Sequence, residues 1–182
     1  MIMTVEELRK FVQTDETDEC LEAKLAGIEQ SIRSYTNNSF QVRGMGIVAD
    51  VVAGVFMSEA LIPFEAGDTI QVSGSAKNDG LYTVHEITDD TTFTVNEKTR
   101  DEIDVFVTLV RYPADVKMGV ANMMAWELEN RAKAGIQSET ISRHTVSYAN
   151  MDETNASIGY PASLVQFLKP YMRARFGRGI GV

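Results

Sequence analysis

The spacing of apolar residues changes twice along this chain, and those two changes set what it can fold into. Before residue 40 the spacing is helical. Leu21, Leu25, Ile28, Ile32 and Tyr35 follow one another at steps of four, three, four and three, which places them on one helix face. Between about Phe40 and Val110 the period is closer to two. The runs at 47–57, 69–72, 81–87, 92–95 and 103–110 are rich in Val, Ile, Thr, Phe and Tyr. Turn signals at 66–68, 77–80 and 88–90 separate these runs, and Asn78, Asp79 and Gly80 sit where a hairpin needs residues that tolerate positive φ. Beyond Tyr112 the spacing is helical again. A sequence with one period does not settle into the other element. The expected fold is therefore α+β: a helical bundle formed by residues 1–39 and 113–182, with a small antiparallel β barrel or sandwich of five short strands inserted over 40–112.

The helical segments carry their own start and stop signals. Thr4 and Glu7 have capping-box spacing and open a short helix that should run to about Val12, with Val5, Leu8, Phe11 and Val12 inward. A second helix should start near Thr17 or Asp18 and end near Tyr35. The segment 113–134 reads as a third. Pro113 suits its first turn, Asp115 and the pair Arg131 and Lys133 match the helix dipole, and Gly135 closes it. Val116, Val120, Met123, Met124 and Leu128 recur at helical spacing, and Ala121, Ala125 and Trp126 widen the apolar side. A helix apolar on more than one side is buried on more than one side. That means a domain core, or a core plus a subunit interface. Residues 137–151 read as an extended segment or long loop. A last helix opens at 160–162, with Pro170 set to kink it or divide it in two.

Charge narrows the partners. The net charge is −9, yet residues 161–182 hold four bases and no acid. An acidic surface argues against tight non-specific wrapping of nucleic acid. The single cysteine, Cys20, rules out an internal disulfide and reads as a small core residue rather than a nucleophile. No secretory signal is expected at the N-terminus. The apolar stretch 47–64 is interrupted by Asp50, Glu59 and Pro63, so no membrane span is expected.

No residue set earns a catalytic, cofactor or metal assignment. Residues 44–49 match a GxGxxA fingerprint, but β-forming residues follow where a helix would have to open, so a turn between strands is expected. His85 and His144 each lack a second ligand at metal spacing. Asp89, Asp90, Glu97, Asp101, Glu102 and Asp104 read as solvated turns rather than a cation site.

Three stretches resemble the head–tail connector (adaptor) proteins of tailed phages and prophages. They are residues 4–8 with the acidic turn and the helix ending at Tyr35, Thr36 and Asn37; residues 113–117 leading into Glu129, Asn130 and Arg131; and Tyr160 and Pro161 followed by 165–173. The resemblance implies a structural virion protein, not an enzyme. It would be assembled in the bacterial host cytoplasm into a ring, commonly of twelve copies, beneath the capsid portal. The ring extends the DNA channel, lets DNA pass without sequence-specific binding, and presents a surface to the next connector, stopper or tail protein. The basic end, at Lys169, Tyr171, Arg173, Arg175, Phe176 and Arg178, then suits docking on the portal by its charge and glycine-rich tail; the alternative is that these bases solvate a helix end. The central helix, through Val116, Val120, Met123, Met124, Trp126 and Leu128, would supply core or subunit contacts. The β module would decorate the ring or meet the next component. Alternatives are another phage structural protein, such as a stopper or tail-completion protein, and a binding module unrelated to phage.

Overall fold

A computed structural model describes residues 1–130, 138–141, 144–147 and 156–174. The chain divides into two compact units, one of residues 1–2 and 39–112, the other of residues 3–38 and 113–182.

The first unit is a closed antiparallel barrel of six strands: β1 Gln41–Val52, β2 Val55–Ser58, β3 Thr69–Ser73, β4 Gly80–Asp89, β5 Thr92–Val95 and β6 Glu102–Val110. Around the barrel the order is β1-β2-β5-β4-β3-β6, and β6 returns to pair with β1. Closure leaves no strand with an open edge. Alternation decides which side chains fill it: Ile47, Ala49 and Val51 point inward and are buried, while Val48 and Val52 are exposed outside. Phe93 is at the centre, stacked on Phe56 at 4.7 Å and edge-on to Phe64 at 5.2 Å. The 47–57 run, expected as one strand, is two. Val52 pairs with Val55 across a two-residue turn in which Ala53 (φ 50°) and Gly54 (φ 85°) both take positive φ. That turn matches the twist of a tight hairpin.

The expected helical bundle with an inserted β module is not what forms. The closed six-stranded barrel is the extended architecture, and the described helices are few and mostly short. They are α1 Val5–Arg9, α2 Asp18–Thr36, α3 Ala114–Asn130 and α4 Ala162–Val165. The physical reasons are local. The capping box at Thr4 does form, with both bonds at 3.1 Å, but α1 stops after a turn and leaves Phe11 exposed. The 137–151 segment, expected as an extended segment or long loop, supplies two paired strands, β7 Ser138–Ile141 and β8 His144–Ser147. A two-stranded ladder follows, β9 Ala156–Ser157 with β10 Tyr160–Pro161. After α4 the chain tightens into a 3₁₀ segment, Gln166–Tyr171, with Pro170 inside it. Proline removes an N–H and clashes with the preceding turn, and the last helix is two short pieces, as the position of Pro170 predicts.

Within the second unit, α2 buries Leu21, Leu25, Ile28 and Ile32 as its spacing predicts. It ends on Asn37 in the left-handed conformation (φ 49°). In α3, Gly119 lies against the Phe167 ring so closely that a methyl at that position would overlap it. Gly119 is buried and Phe167 half-buried, so glycine is what lets the 3₁₀ segment seat on α3.

Candidate functional site

The three stretches that carry the connector resemblance are bound to one another by polar side chains. All three fall in the second unit. Lys117 of α3 meets Glu7 of α1 at 3.3 Å. Asp115, in the first turn of α3, accepts the Tyr171 hydroxyl on both carboxylate oxygens at 2.7 and 2.8 Å. Beyond the end of α2, the Asn38 side chain donates to the Tyr171 carbonyl at 3.1 Å and the Asn37 side chain to the Ala174 carbonyl at 3.0 Å. The Arg173 N–H donates to the Thr36 carbonyl at 2.8 Å. An orphan carbonyl at a helix C-terminus is thus satisfied by a segment from far along the chain.

This arrangement is a strap. The C-terminal segment crosses the end of α2 and is pinned at Tyr171 to α3. The Asp115 carboxylate accepting the phenol, followed by partial desolvation, holds the Tyr171 hydroxyl above its ordinary pKa. Tyr171, expected as a docking group, spends its hydroxyl inside the unit. Lys169 and Arg173 are exposed beside it and present positive charge outward. Arg175, Phe176 and Arg178 lie outside the described residues, as do Arg131, Lys133 and Gly135.

Of the central-helix residues, Val116, Val120, Met123 and Met124 are fully buried within the chain. Trp126 and Leu128 are half-buried. Trp126 meets the Tyr160 ring edge-on at 5.4 Å, and Tyr160 donates its hydroxyl to Glu127 at 2.8 Å. Met118, which the apolar spacing did not pick out, is exposed on α3.

The barrel carries a second feature that the sequence did not announce. On its outside, Val48 of β1 stands opposite Phe106 of β6, and Asp50 stands opposite Met57 of β2. Val48, Met57 and Phe106 are 52%, 43% and 45% exposed, so three large apolar side chains on neighbouring strands face solvent together. A trough of about 420 Å³ runs along this face, lined by Val48, Asp50, Met57, Glu59, Ala60 and Asp104 among others, with no basic residue.

The remaining candidates resolve as structure. Residues 44–49 lie within β1 rather than in a turn, and no helix follows them. Asn78 is not a positive-φ residue; that role falls to Gly74. Asn78 is 1% exposed and brackets the barrel: its side chain accepts from the Arg100 N–H at 2.8 Å and donates to the Arg100 carbonyl and to Glu102, each at 2.9 Å. Glu102 also accepts from Ser75 Oγ and from the N–H groups of Ala76 and Lys77. The Ser75 bond leads the donors that hold its carboxyl below the ordinary range. Asp89, Glu97 and Asp101 likewise accept backbone N–H groups, from Thr91, Thr83 and Ala53. Among the described residues no group of three or more His, Cys, Asp and Glu is placed to hold a metal. Cys20 is half-buried rather than in the core, and the hydrogen bond to Glu16 raises its thiol pKa, which opposes thiolate reactivity. Among the described residues no helix is long and apolar enough to cross a membrane.

No family model matches the sequence, and comparison with curated proteins finds no match.

Proposed function

We propose that this chain is a head–tail connector of a tailed phage or prophage, a structural virion protein that forms a ring beneath the portal and joins head to tail. The observation that carries the reading is the strap. Three separate sequence stretches resemble connectors, and their residues Glu7, Thr36, Asn37, Asp115, Lys117, Tyr171 and Arg173 meet one another in one compact unit. A shared contact network is what a common structural role for the three stretches requires.

Charge supports the same reading. A ring of identical copies needs two different, complementary faces on each subunit. This chain has a basic end on an acidic body. An acidic ring lets DNA slide through without gripping it. In this reading the exposed Lys169 and Arg173 dock on the portal, and the barrel faces outward or meets the next component. Assembly takes place in the host cytoplasm.

A portal pull-down with the Lys169→Glu/Arg173→Glu variant tests this. Binding should be lost while the far-ultraviolet circular dichroism stays unchanged. Undiminished binding would remove Lys169 and Arg173 from the docking site.

A second reading, a stopper or tail-completion protein, draws support from the closed barrel. Such a protein would bind a portal already carrying its connector and not the bare portal, so the same pull-down with both baits separates the two.

A further inference from the structure

The trough on the outer face of the barrel is built for a basic, apolar, extended segment, and the chain contains one. The trough combines exposed Val48 and Met57 with the carboxylates of Asp50, Glu59 and Asp104. One of these is fixed: the Asp104 N–H donates to the Asp50 carboxylate at 2.9 Å, where β6 takes a positive φ of 56° at Asp104. The phosphates of nucleic acid and of an anionic membrane would both be repelled there. A cationic segment with apolar side chains would be attracted by both parts of the surface.

Residues 175–182 read Arg, Phe, Gly, Arg, Gly, Ile, Gly, Val. Laid out with the period-two alternation of a strand, Phe176, Arg178, Ile180 and Val182 fall on one side, and Gly177, Gly179 and Gly181 on the other. One side of such a segment offers two aliphatic groups, a ring and a cation. The other side carries Arg175 and is otherwise bare backbone.

We propose that the barrel trough of each copy receives the C-terminal residues 175–182 of a second copy, with Arg178 set against the trough carboxylates and the apolar residues against Val48 and Met57. This rests on the ring reading. It assigns Arg175, Phe176 and Arg178 to the neighbouring subunit, and leaves Lys169 and Arg173 for the portal. The contact is head-to-tail, so it propagates and closes where the rotation permits.

The test is a charge swap in the full-length chain, read by sedimentation velocity over a concentration series. Glu59 is exposed on the trough rim, and Arg178 is its proposed partner. The wild-type chain should associate with increasing concentration. Glu59→Lys and Arg178→Glu should each weaken association by about tenfold, because like charges then face each other. Mixing the two single variants should restore association, since each trough then meets a tail of opposite charge. The double variant should restore it as well, which also excludes misfolding as the cause of the loss. Three outcomes overturn the proposal: a wild-type chain monomeric throughout, single variants that associate normally, or single variants that are not restored by mixing. None of these bears on portal docking, which the pull-down reads separately.

Discussion

The barrel and the helical unit are held together by different means. In the barrel every strand is paired on both sides, and the register joins residues as distant as Gln41 and Val110. Its interior is filled by side chains of one alternating set, centred on Phe56 and Phe93. Among its described residues the helical unit has two helices of useful length, and beside apolar packing such as Phe167 on Gly119 its distant segments are tied by single polar contacts: Glu7 to Lys117, Asp115 to Tyr171, Asn37 and Asn38 to the C-terminal strap. A closed ladder distributes stability over many backbone bonds. A strap concentrates order on a few side chains. The barrel should therefore fail through loss of core or bracket, and the helical unit through loss of a tie.

The largest effect is expected from Phe93→Ala. It removes the ring between Phe56 and Phe64 and should destabilise the protein by about 3–5 kcal/mol in urea unfolding, because the cavity cannot collapse inside a closed barrel. A cost near that of a surface substitution would mean that the barrel is not packed as described. Next is Asn78→Ala, which leaves the Arg100 N–H and carbonyl without their partner and should cost about 2–3 kcal/mol. An effect as small as a few tenths would show that water replaces the bracket.

Gly119→Ala sharpens the contrast from the helical side. Alanine is the better helix former, so a change governed by propensity alone would stabilise α3 by about 1 kcal/mol. The overlap with Phe167 predicts the opposite sign, a loss of about 1–2 kcal/mol. The Phe167→Ala background should return the sign to that of propensity, and a double-mutant cycle measures the difference. Ala53→Asn should be stabilising by about 0.5–1 kcal/mol, since asparagine accepts the left-handed conformation of the β1–β2 turn better than alanine.

Titration probes one tie in each region. Glu102 has a lowered pKa in the folded state, so its contribution is present above the ordinary carboxylate range and lost as pH falls through the folded value. Tyr171 has a raised pKa, so its bond to Asp115 is intact below the ordinary tyrosine value and lost as pH rises through the folded one. Amide exchange should show acid loosening around residues 75–78 and alkali loosening around the strap. Glu102→Gln and Tyr171→Phe should each abolish only their own effect.

What the sequence displayed and what it hid follow the same division. The Thr4 and Glu7 capping box and the buried face of α2 were legible because both are local, decided by residues three or four apart. The period-two region announced strands but left a barrel and a sandwich both open. Closure depends on β1 meeting β6 and β3 meeting β6, pairings that no spacing encodes. Splitting of the 47–57 run was signalled weakly by Ala53 and Gly54, with alanine masking the turn. Asn78 looked like a turn residue because asparagine favours turns. Its bracket role depends on Arg100 and Glu102 arriving from across the barrel. Helical spacing at 113–134 held as α3 over its described residues, and the reading that Pro170 limits the last helix to short pieces held as α4 followed by the 3₁₀ segment. The strap was invisible: Asp115 read as a first-turn acid and Tyr171 as a docking group, and their bond to each other arises only when α3 and the C-terminal segment meet. The trough was invisible for the same reason, since Val48, Asp50, Met57 and Asp104 come together only on the outside of a closed sheet.

The most direct test of the connector account is the solution mass of the purified chain by light scattering, alone and mixed with a portal ring. The account predicts concentration-dependent association of the chain alone, and a portal complex that gains a full ring of copies. A chain that adds no mass to any portal offered would contradict it.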